Sequence, residues 1–379
     1  MKTERMTIVF FWNYLNHHQV LVADEMYKLL GDKFRFVATL PRNARELKGG
    51  MDYSLRPYCV LAGESAEAHE QALMCAQTAD VCVFGACSQE YAVMREKGLS
   101  FECGERWMKR GWINILSPVL RHWWKNYMRY FRHRDFYKLC ASAYTAQDDE
   151  RLGCYKGRHY KWGYFTEVPV NHAETKMTRS KYGDIRMMWC ARFISWKHPE
   201  MPVELARRLK SEGYKFHIDM YGDGPLKSKI QKMIQSQNLN EYISLKGNVP
   251  NENIQKAMSD SDIFLFTSDK QEGWGAVANE AMANRCCLVG ADDIGAVPYL
   301  VRNKENGLMF KSKSLNSLHE QVKGLLDNPS MIALLSERGY KDMLELWNPQ
   351  NAARSLLSLI DNLKNERDTS ITEGPCSNA

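Results

Sequence analysis

Short apolar runs of strand length alternate with amphipathic segments of helix length along most of this 379-residue chain. Continuous apolar runs are typical of strands that are buried on both faces, and the segments between them repeat apolar side chains at helical spacing. Parallel strands joined by helical crossovers bury both kinds of surface, so the alternation predicts the α/β class. The predicted strands are Thr7–Phe11, Phe34–Thr39, Val81–Phe84, Ile185–Cys190, Phe216–Tyr221, Tyr242–Leu245 and Ile263–Phe266.

A polar stretch from Asn171 to Asp184 separates two such series and predicts the linker between two domains. A chain of this length exceeds what one hydrophobic core usually organises. Near the end, Asn348 and Pro349 form a helix-start pattern, and the Ser, Thr, Gly and Asn residues that follow the last helix favour disorder. The expected limits are 1–178 for the N-terminal domain, 179–346 for the second domain, 347–367 for a last helix and 368–379 for a disordered tail.

The composition, 44% hydrophobic and 25% charged, is that of an ordinary globular protein and excludes a collagen-like or disordered chain. The longest apolar runs, Met6 to Trp12 (interrupted at Thr7) and Val81 to Cys87, are far shorter than the roughly 20 residues that cross a bilayer. The 11 cysteines have neither paired spacing nor a zinc-like arrangement with histidine, so reduced thiols are expected. The N-terminus has no cleavage pattern, and we expect a cytoplasmic protein.

Two carboxylates, Glu272 and Glu280, lie eight positions apart in a loop that leads into a helix. At about 1.5 Å rise per residue this spacing reaches about 12 Å, comparable with the distance from the sugar hydroxyls to the ribose hydroxyls of a nucleotide diphosphate sugar. Gly273 and Gly275 allow the backbone to approach a ligand, and a helix start offers free N–H groups to a diphosphate. The pattern predicts that the two acids bind opposite ends of one ligand; two unrelated solvated acids are the alternative.

Further motifs accompany the two acids in a fixed order. They are Arg192 and Lys197 after a predicted strand, Gly222-Asp223-Gly224-Pro225, Leu245-Lys246-Gly247-Asn248-Val249, and Gly290 through Leu300 with Asn306-Gly307-Leu308. With this set, most of residues 185–330 resembles the donor domain of the retaining GT-B glycosyltransferases of family four, also called glycosyl transferases group 1. The first half is more loosely similar, at Phe101–Arg110 and Leu139–Phe165, to bacterial members that build surface polysaccharides.

The resemblance implies a GT-B fold, in which two Rossmann-like domains face each other across a cleft. It implies transfer of a sugar, with retention of configuration, from a UDP- or GDP-sugar to a hydroxyl of a saccharide or lipid-linked acceptor. Arg192 and Lys197 would hold the donor diphosphate, where fixed cations stabilise the charge of the leaving group. Glu272 would contact the transferred sugar, and Glu280 would bind the ribose.

The other donor-side candidates follow from the same motifs. They are Gly222, Gly224, Asn248, Val249, Gly273, Trp274, Gly275, Ala276 and Val277. The implied design requires no metal and no other cofactor, since cations and backbone groups face the diphosphate. The string Asp260-Ser261-Asp262 is similar to a metal-binding Asp-x-Asp, but we interpret it as a helix end that precedes a buried strand.

The loop Trp12–Gln19 follows the first predicted strand, where α/β sheets present ligand loops, and the resemblance places it on the acceptor side. Imidazole titrates near neutrality, so His18 is the candidate to bind the acceptor or take its proton. The alternative is an exposed helix start. Further acceptor-side candidates are Asn16, His17, Glu105 and Arg106.

Between Phe101 and Cys140 there are nine Lys or Arg residues and three acids, an excess equal to the net charge of +6 of the whole chain. Aromatic residues are interspersed with these cations: Trp107, Trp112, Trp123, Trp124, Tyr127, Tyr130 and Phe131. This mixture predicts peripheral contact of residues 106–138 with an anionic membrane, on its inner face, rather than with nucleic acid. The alternative is a charged helical face whose aromatic residues pack inward.

Two other functions are alternatives for this sequence. Gly273–Ala278 also fits the G-x-G-x-x-A fingerprint of an NAD(P)-dependent oxidoreductase, but Ser268–Glu272 separate it from the preceding strand, whereas that fingerprint follows its strand directly. A GT-B scaffold that has lost catalysis and serves as a binding module would be expected to lack some of the four key residues. Glu272, Glu280, Arg192 and Lys197 are all present.

Overall fold

The computed structural model of the chain describes residues 6–41, 55–169 and 184–379. The chain forms two compact units: the first unit is Met1–Phe165 with Asn348–Ala379, and the second unit is Thr166–Trp347. The first boundary therefore lies 13 residues before the expected one at 178, while the second lies one residue after the expected one at 346. The predicted linker falls, apart from Asp184, outside the described residues.

The first unit is built on a parallel sheet in the order β3-β2-β1-β4-β5-β6-β7. Every residue of the central strands β1 and β4 is buried, as expected where helices cover both faces. The strand order reverses between β1 and β4, so the loops after these strands lie side by side at the carboxyl edge. The strands are β1 Ile8–Trp12, β2 Phe34–Ala38, β3 Cys59–Leu61, β4 Val81–Phe84, β5 Leu99–Gly104, β6 Phe136–Cys140 and β7 His159–Lys161.

Helices join these strands, and side-chain caps begin two of them. Ser65 accepts a hydrogen bond from the Ala68 N–H at the start of α2, and Ser117 caps α4 directly before Pro118. The helices are α1 Val20–Leu30, α2 Ala66–Thr78, α3 Glu90–Met94, α4 Pro118–Asn126 and α5 Thr145–Arg151, with 3₁₀ turns at Gly31–Lys33 and Gly111–Leu116 and a π turn at Tyr127–Phe131.

The second unit contains a parallel sheet in the order β10-β9-β8-β11-β12-β13, which reverses between β8 and β11. Its strands are β8 Ile185–Cys190, β9 Phe216–Tyr221, β10 Ile243–Gly247, β11 Ile263–Phe266, β12 Cys287–Ala291 and β13 Leu308–Phe310. Its helices are α6 Glu200–Ser211, α7 Lys227–Ser236, α8 Asn251–Asp260, α9 Val277–Ala283, α10 Val297–Leu300, α11 Leu315–Asp327 and α12 Ser330–Glu345, with a 3₁₀ turn at Ser195–Lys197. The two parallel sheets confirm the predicted α/β class.

The last helix, α13 Pro349–Lys364, returns to the first unit and packs on α1. The tail was expected to be disordered, but its end instead pairs with the edge strand β7. The Cys376 N–H donates to the Lys161 carbonyl at 2.7 Å, Asn378 forms an antiparallel bridge with Tyr160, and Cys376 is fully buried. The physical reason is that an edge strand presents free backbone groups, which an extended polar segment satisfies.

Candidate functional site

The reversal of strand order in the second sheet brings together the loops that follow β8 and β11. Lys197 ends the 3₁₀ turn after β8, and Glu272 lies in the loop between β11 and α9. The Lys197 ammonium contacts the Glu272 carboxylate, and each side chain is 13% exposed. Two of the predicted catalytic residues, 75 positions apart in the sequence, are therefore in contact.

Buried hydrogen bonds fix the positions of both loops. The Thr267 hydroxyl, just after β11, donates to the Lys197 carbonyl at 2.8 Å and accepts from the Trp189 indole N–H at 2.8 Å. The Asp269 N–H donates to the Trp196 carbonyl at 2.9 Å. Trp189 and Thr267 are buried, so these hydrogen bonds hold the backbone beside Lys197 in a fixed position relative to the loop after β11.

A second charged cluster beside this pair was not predicted from the sequence. His198 has a left-handed backbone (φ 49°), and its ring lies 2.9 Å from a Glu200 oxygen and 3.2 Å from an Asp269 oxygen. The hydrogen bond to Glu200 is the main cause that raises the pKa of His198, against the effect of burial. Lys313 pairs with Asp269 at 2.9 Å. The available clue was position, since His198 and Asp269 lie in the loops that follow the two switch-point strands.

Gly275 sets the position of the Glu272 side chain. Its φ of +95° disfavours any other residue, and a β-carbon there would lie 2.5 Å from the Phe266 ring and 3.1 Å from Cγ of Glu272. A side chain at this position would therefore displace Phe266 and the predicted catalytic acid together.

Gly222 and Gly224 allow the loop after β9 to pack on the loop that carries Arg192. Gly222 has φ +119°, and a β-carbon there would lie 2.0 Å from the Ala191 carbonyl oxygen. A β-carbon on Gly224 would lie 2.7 Å from the Phe193 carbonyl oxygen. Both glycines therefore contact the backbone of the loop after β8, and they allow the two loops to pack closely beside the candidate site.

Glu280 lies in α9, and its carboxylate is poorly solvated. Burial raises the pKa of Glu280 to about 7, and no residue in the described ranges donates a hydrogen bond to its carboxylate. The Glu280 charge also adds to burial in raising the pKa of the Cys190 thiol to about 12, which places the carboxylate near the end of β8. An unpaired acceptor at this position is suited to bind ligand hydroxyls.

The two acids do not share a helix. Since α9 begins at Val277, Glu272 belongs to the preceding loop, and the distance argued from helical rise does not describe this pair. A turn at the Asp269 carbonyl, which accepts from the Glu272 N–H at 2.8 Å, and the glycines that follow it delay the start of the helix.

The side chain of the donor-side candidate Trp274 lies in the core. Its indole is fully buried, donates to Asn279 Oδ1 at 2.9 Å and packs on the rings of Tyr299 and Trp347. Such a large ring gains more free energy in the core than at the surface. Trp274 therefore anchors the loop from below, and only its backbone lies along the candidate site.

The remaining donor-side candidates line loops at the same edge of the sheet. Arg192 is exposed just after β8, and Gly273 is buried beside Trp274. Exposed Asn248 and partly buried Val249 connect β10 to α8. Ala276 is the N-cap of α9, and Val277 is its first residue.

In the first unit, His18 is held by its neighbours in the loop after β1. Its ring stacks on Tyr164 with centroids 4.6 Å apart, and the backbone N–H of His18 donates a hydrogen bond to Asn16 Oδ1 at 2.9 Å. Burial, with the adjacent His17, lowers the pKa of His18 to about 4. The imidazole is thus neutral at physiological pH, which suits a hydrogen-bonding role better than that of a strong base.

Arg106, an acceptor-side candidate, is paired within the protein. Its guanidinium makes two hydrogen bonds of 3.2 Å to Asp148, which is fully buried. The cause is that an apolar interior leaves a buried carboxylate with few other partners. Glu105 pairs with Lys109 at 2.5 Å and accepts from the Tyr164 hydroxyl at 2.8 Å, next to His18.

The basic segment divides its aromatic residues between the core and the surface. Trp123, Tyr127 and Phe131 are buried and stack with neighbouring rings, whereas Trp112 is 65% exposed. No acidic residue occurs from 106 to 134. None of the helices in the described ranges is long and apolar enough to cross a membrane.

No metal cluster occurs among the residues that the structure describes: nowhere do three His, Cys, Asp or Glu side chains group so as to hold an ion. The Asp260-Ser261-Asp262 string ends α8 and precedes β11, as predicted. Asp262 accepts a hydrogen bond from the Arg186 N–H at 2.9 Å, which ties β11 to β8.

Residues 174–342 match the family model described as glycosyl transferases group 1, which confirms the resemblance predicted from the motifs. A poly(ribitol-phosphate) alpha-N-acetylglucosaminyltransferase of Staphylococcus aureus is 26% identical over 45% of this chain and 34% of its own length. The putative colanic acid biosynthesis glycosyltransferase WcaL of Salmonella typhimurium is 24% identical over 66% of this chain and 63% of its own length. The chain thus spans less than two thirds of either relative.

Solved structures share the fold. The crystal structure of Anabaena Alr3699/HepE in complex with UDP has a TM-score of 0.68 at 13% identity, covering 95% of this chain and all of that one. TarM has a TM-score of 0.57 at 16% identity, over 74% of this chain and 54% of its own. The glycosyltransferase WaaG gives a TM-score of 0.61. The predicted GT-B class is confirmed.

Proposed function

We propose that this chain, whose residues 174–342 match the glycosyl transferases group 1 family, transfers a sugar from a nucleotide diphosphate sugar to a hydroxyl acceptor during bacterial surface-polysaccharide synthesis. The observation that carries the proposal is the contact between Lys197 and Glu272 at the switch point of the second sheet, together with a desolvated Glu280 in the helix α9 that follows Glu272. A cation, an acid and an unpaired carboxylate acceptor are the groups that a charged, polyhydroxyl donor requires.

In the proposed reaction Arg192 and Lys197 face the donor diphosphate. Cleavage of the anomeric C–O bond leaves extra negative charge on that diphosphate, and fixed cations lower the barrier because they are already oriented. Glu272, now paired with Lys197, would share the ammonium with the diphosphate and accept hydroxyl groups of the transferred sugar. Glu280 would accept the two ribose hydroxyls, and the sugar would be transferred with retention of configuration.

A UDP- or GDP-sugar is the proposed donor. The likeness to Anabaena Alr3699/HepE, whose crystal structure is a complex with UDP, supports a uridine nucleotide. Relatives named as N-acetylglucosaminyltransferases and as a colanic acid biosynthesis enzyme support a saccharide or lipid-linked acceptor in surface-polysaccharide synthesis. His18, neutral and stacked on Tyr164, would hydrogen-bond the acceptor hydroxyl. Basic residues within 106–138 would hold the protein on the inner face of an anionic membrane.

The test is a turnover screen of the purified full chain against UDP-, GDP- and ADP-sugars, with release of the nucleoside diphosphate as the readout. Glu272→Gln should lower turnover by about 10² to 10³ while binding of the nucleoside diphosphate survives. Glu345→Gln, an exposed acid in the same unit, is the matched control and should leave turnover unchanged. The proposal would be contradicted if the wild-type protein turned over none of these nucleotide sugars, or if Glu272→Gln left turnover unchanged.

A further inference from the structure

His198 directly follows Lys197 and ends the 3₁₀ turn Ser195–Lys197. Its backbone is left-handed, with φ 49° and ψ 56°, a conformation that costs free energy for a residue with a side chain. Pro199 comes next, and α6 begins at Glu200. The conformation of His198 therefore sets the direction of the chain between the predicted catalytic cation and α6, and contacts of its side chain can offset the cost.

Both nitrogens of the His198 ring face carboxylates. Nδ1 lies 2.9 Å from Oε1 of Glu200, and Nε2 lies 3.2 Å from Oδ2 of Asp269. An ionised carboxylate only accepts hydrogen bonds, and a neutral imidazole has one N–H donor and one acceptor nitrogen. The neutral ring would thus donate to one acid and face the other with a lone pair, whereas the imidazolium donates to both. The geometry therefore favours the charged ring.

The bond to Asp269 connects the turn that carries Lys197 to the turn that carries Glu272. The buried Asp269 carboxylate accepts from the Gln271 N–H at 3.0 Å, and the Asp269 carbonyl accepts from the Glu272 N–H at 2.8 Å. Asp269 thus belongs to the turn that positions Glu272, and its other carboxylate oxygen holds the His198 ring. Since this ring is mostly buried, water competes weakly for these charged hydrogen bonds.

Three other charged residues join this cluster. Lys313, in the segment after β13, lies 2.9 Å from the Asp269 oxygen that also faces the ring. Asp293, after β12, acts on the charge of Asp269, and Lys229 of α7 acts on the charge of Glu200. The hydrogen bond to Glu200, followed by the one to Asp269, raises the pKa of the imidazole above its ordinary 6.5, although burial opposes this shift. The surrounding charges therefore agree with the hydrogen-bond geometry.

We propose that His198 is a positioning residue: as an imidazolium that bridges Glu200 and Asp269, it holds the turn from which Lys197 reaches the donor diphosphate. This inference rests on the proposed function, which places Lys197 at the diphosphate. Without the bridge, the left-handed residue can relax and change the direction of the chain next to Lys197. The Lys197 ammonium must then be ordered when the ligand binds, and that ordering reduces affinity.

Two substitutions separate the charge of the ring from its backbone conformation. The chain has asparagine and lysine in the left-handed region at Asn238 (φ 54°) and Lys313 (φ 61°), so His198→Asn and His198→Lys can both keep that conformation. His198→Asn removes the charge and should weaken UDP binding to the full chain about tenfold, whereas His198→Lys should stay within about threefold of the wild type at pH 6. The matched control is His319→Asn, which should bind UDP as the wild type does. The His319 ring lies 2.8 Å from Glu212, at the other end of α6.

The pH dependence of UDP binding distinguishes a charged bridge from a side chain that only fills space. The bridge is complete below pH 6.5 and is lost as pH rises through the raised pKa of His198, whereas a lysine keeps its charge up to about pH 10. The UDP affinity of the wild type, divided by that of His198→Lys, should therefore fall between about pH 6 and about pH 9. This ratio removes the titrations that both proteins share, including those of Glu280 and of the phosphate. A ratio that does not depend on pH, or wild-type affinity in His198→Asn, would overturn the proposal.

A double-mutant cycle tests whether His198 acts through Lys197. In a Lys197→Met background, His198→Asn should cause little further loss of UDP affinity, because the cation that His198 positions is absent. An equal loss in both backgrounds would overturn the proposal, since His198 would then act on UDP by another route.

Uridine, which lacks the diphosphate, is the second probe. It should bind the wild type and His198→Asn equally in ligand-observed NMR, and this binding also shows that the variant is folded. A loss of uridine affinity as large as the loss of UDP affinity would overturn the positioning role. The same measurements are made with GDP and guanosine. If the wild type binds neither UDP nor GDP, the proposed function itself is refuted, whereas the contrary results above, in a protein that binds one of them, refute only the role of His198.

Discussion

Replacement of Glu280 by Gln should stabilise the ligand-free protein and weaken its binding of nucleoside diphosphate. Burial raises the pKa of Glu280 from its ordinary 4.5 to about 7, and the corresponding difference in free energy is roughly 3 kcal/mol. Between these two pH values the native state keeps a proton that the unfolded chain has lost. Stability therefore falls as pH rises from 4.5 through 7, and the full cost is present above pH 7.

The glutamine variant removes this cost, because its side chain is neutral at every pH. For a unit of the size of Thr166–Trp347, roughly 3 kcal/mol corresponds to a rise in the thermal midpoint of about 6–12 °C at pH 8. At pH 4.5 both side chains are neutral, and the midpoints of variant and wild type should nearly coincide. Thermal unfolding of the ligand-free chain at the two pH values measures the difference, with Glu345→Gln as the exposed control.

The same substitution should weaken UDP binding, although it stabilises the ligand-free protein. A hydrogen bond to a charged group contributes about 1.5–3 kcal/mol, so loss of the ribose contact should weaken UDP binding about 10- to 100-fold at pH 8. A variant that is equally stabilised at both pH values, or less stable than the wild type at pH 8, would refute the desolvation argument. A stabilised variant with unchanged UDP affinity would keep that argument but remove Glu280 from the donor site.

Two further predictions concern the first unit. Asp148→Asn should destabilise the protein by about 3–5 kcal/mol in denaturant unfolding, because it leaves Arg106 buried without its counter-charge. Glu305→Gln, which breaks the exposed pair with Arg302, should cost about 1 kcal/mol or less. Equal effects of the two variants would show that the buried pair does not stabilise the fold more than an exposed one. Neutralising Arg121, Lys125, Arg129 and Arg132 together should reduce binding to anionic vesicles, and the binding that remains should not depend on salt concentration. Unaltered binding would show that these cations do not contact the membrane.

The sequence predicted the buried centre of each sheet more accurately than its edges. Val81–Phe84, Ile185–Cys190, Phe216–Tyr221 and Ile263–Phe266 have the bounds of the observed strands, because strands covered on both faces leave uninterrupted apolar runs or clear alternation. The edge strand His159–Lys161 was not predicted, since three mixed residues carry no such pattern. The tail that pairs with it is polar, and backbone pairing leaves no trace in composition.

At the candidate site, residue identity was predictable and side-chain surroundings were not. The motif order selected Lys197 and Glu272, which are in contact. A tryptophan between two glycines is compatible with either a ligand or a core, and only the fold shows that Trp274 is buried on Trp347, from a distant part of the chain. Arg106 has the same explanation, because its partner Asp148 lies 42 positions away.

The central claim is that Glu272 and Glu280 bind opposite ends of one nucleotide sugar. Calorimetric titration of each Gln variant with UDP and with the intact UDP-sugar, using the sugar that the turnover screen identifies, tests it most directly. The account predicts that Glu280→Gln weakens both ligands by the same factor, whereas Glu272→Gln abolishes only the extra affinity that the sugar adds to UDP. Identical losses for both ligands in both variants, or wild-type affinity for the intact UDP-sugar in either variant, would contradict it.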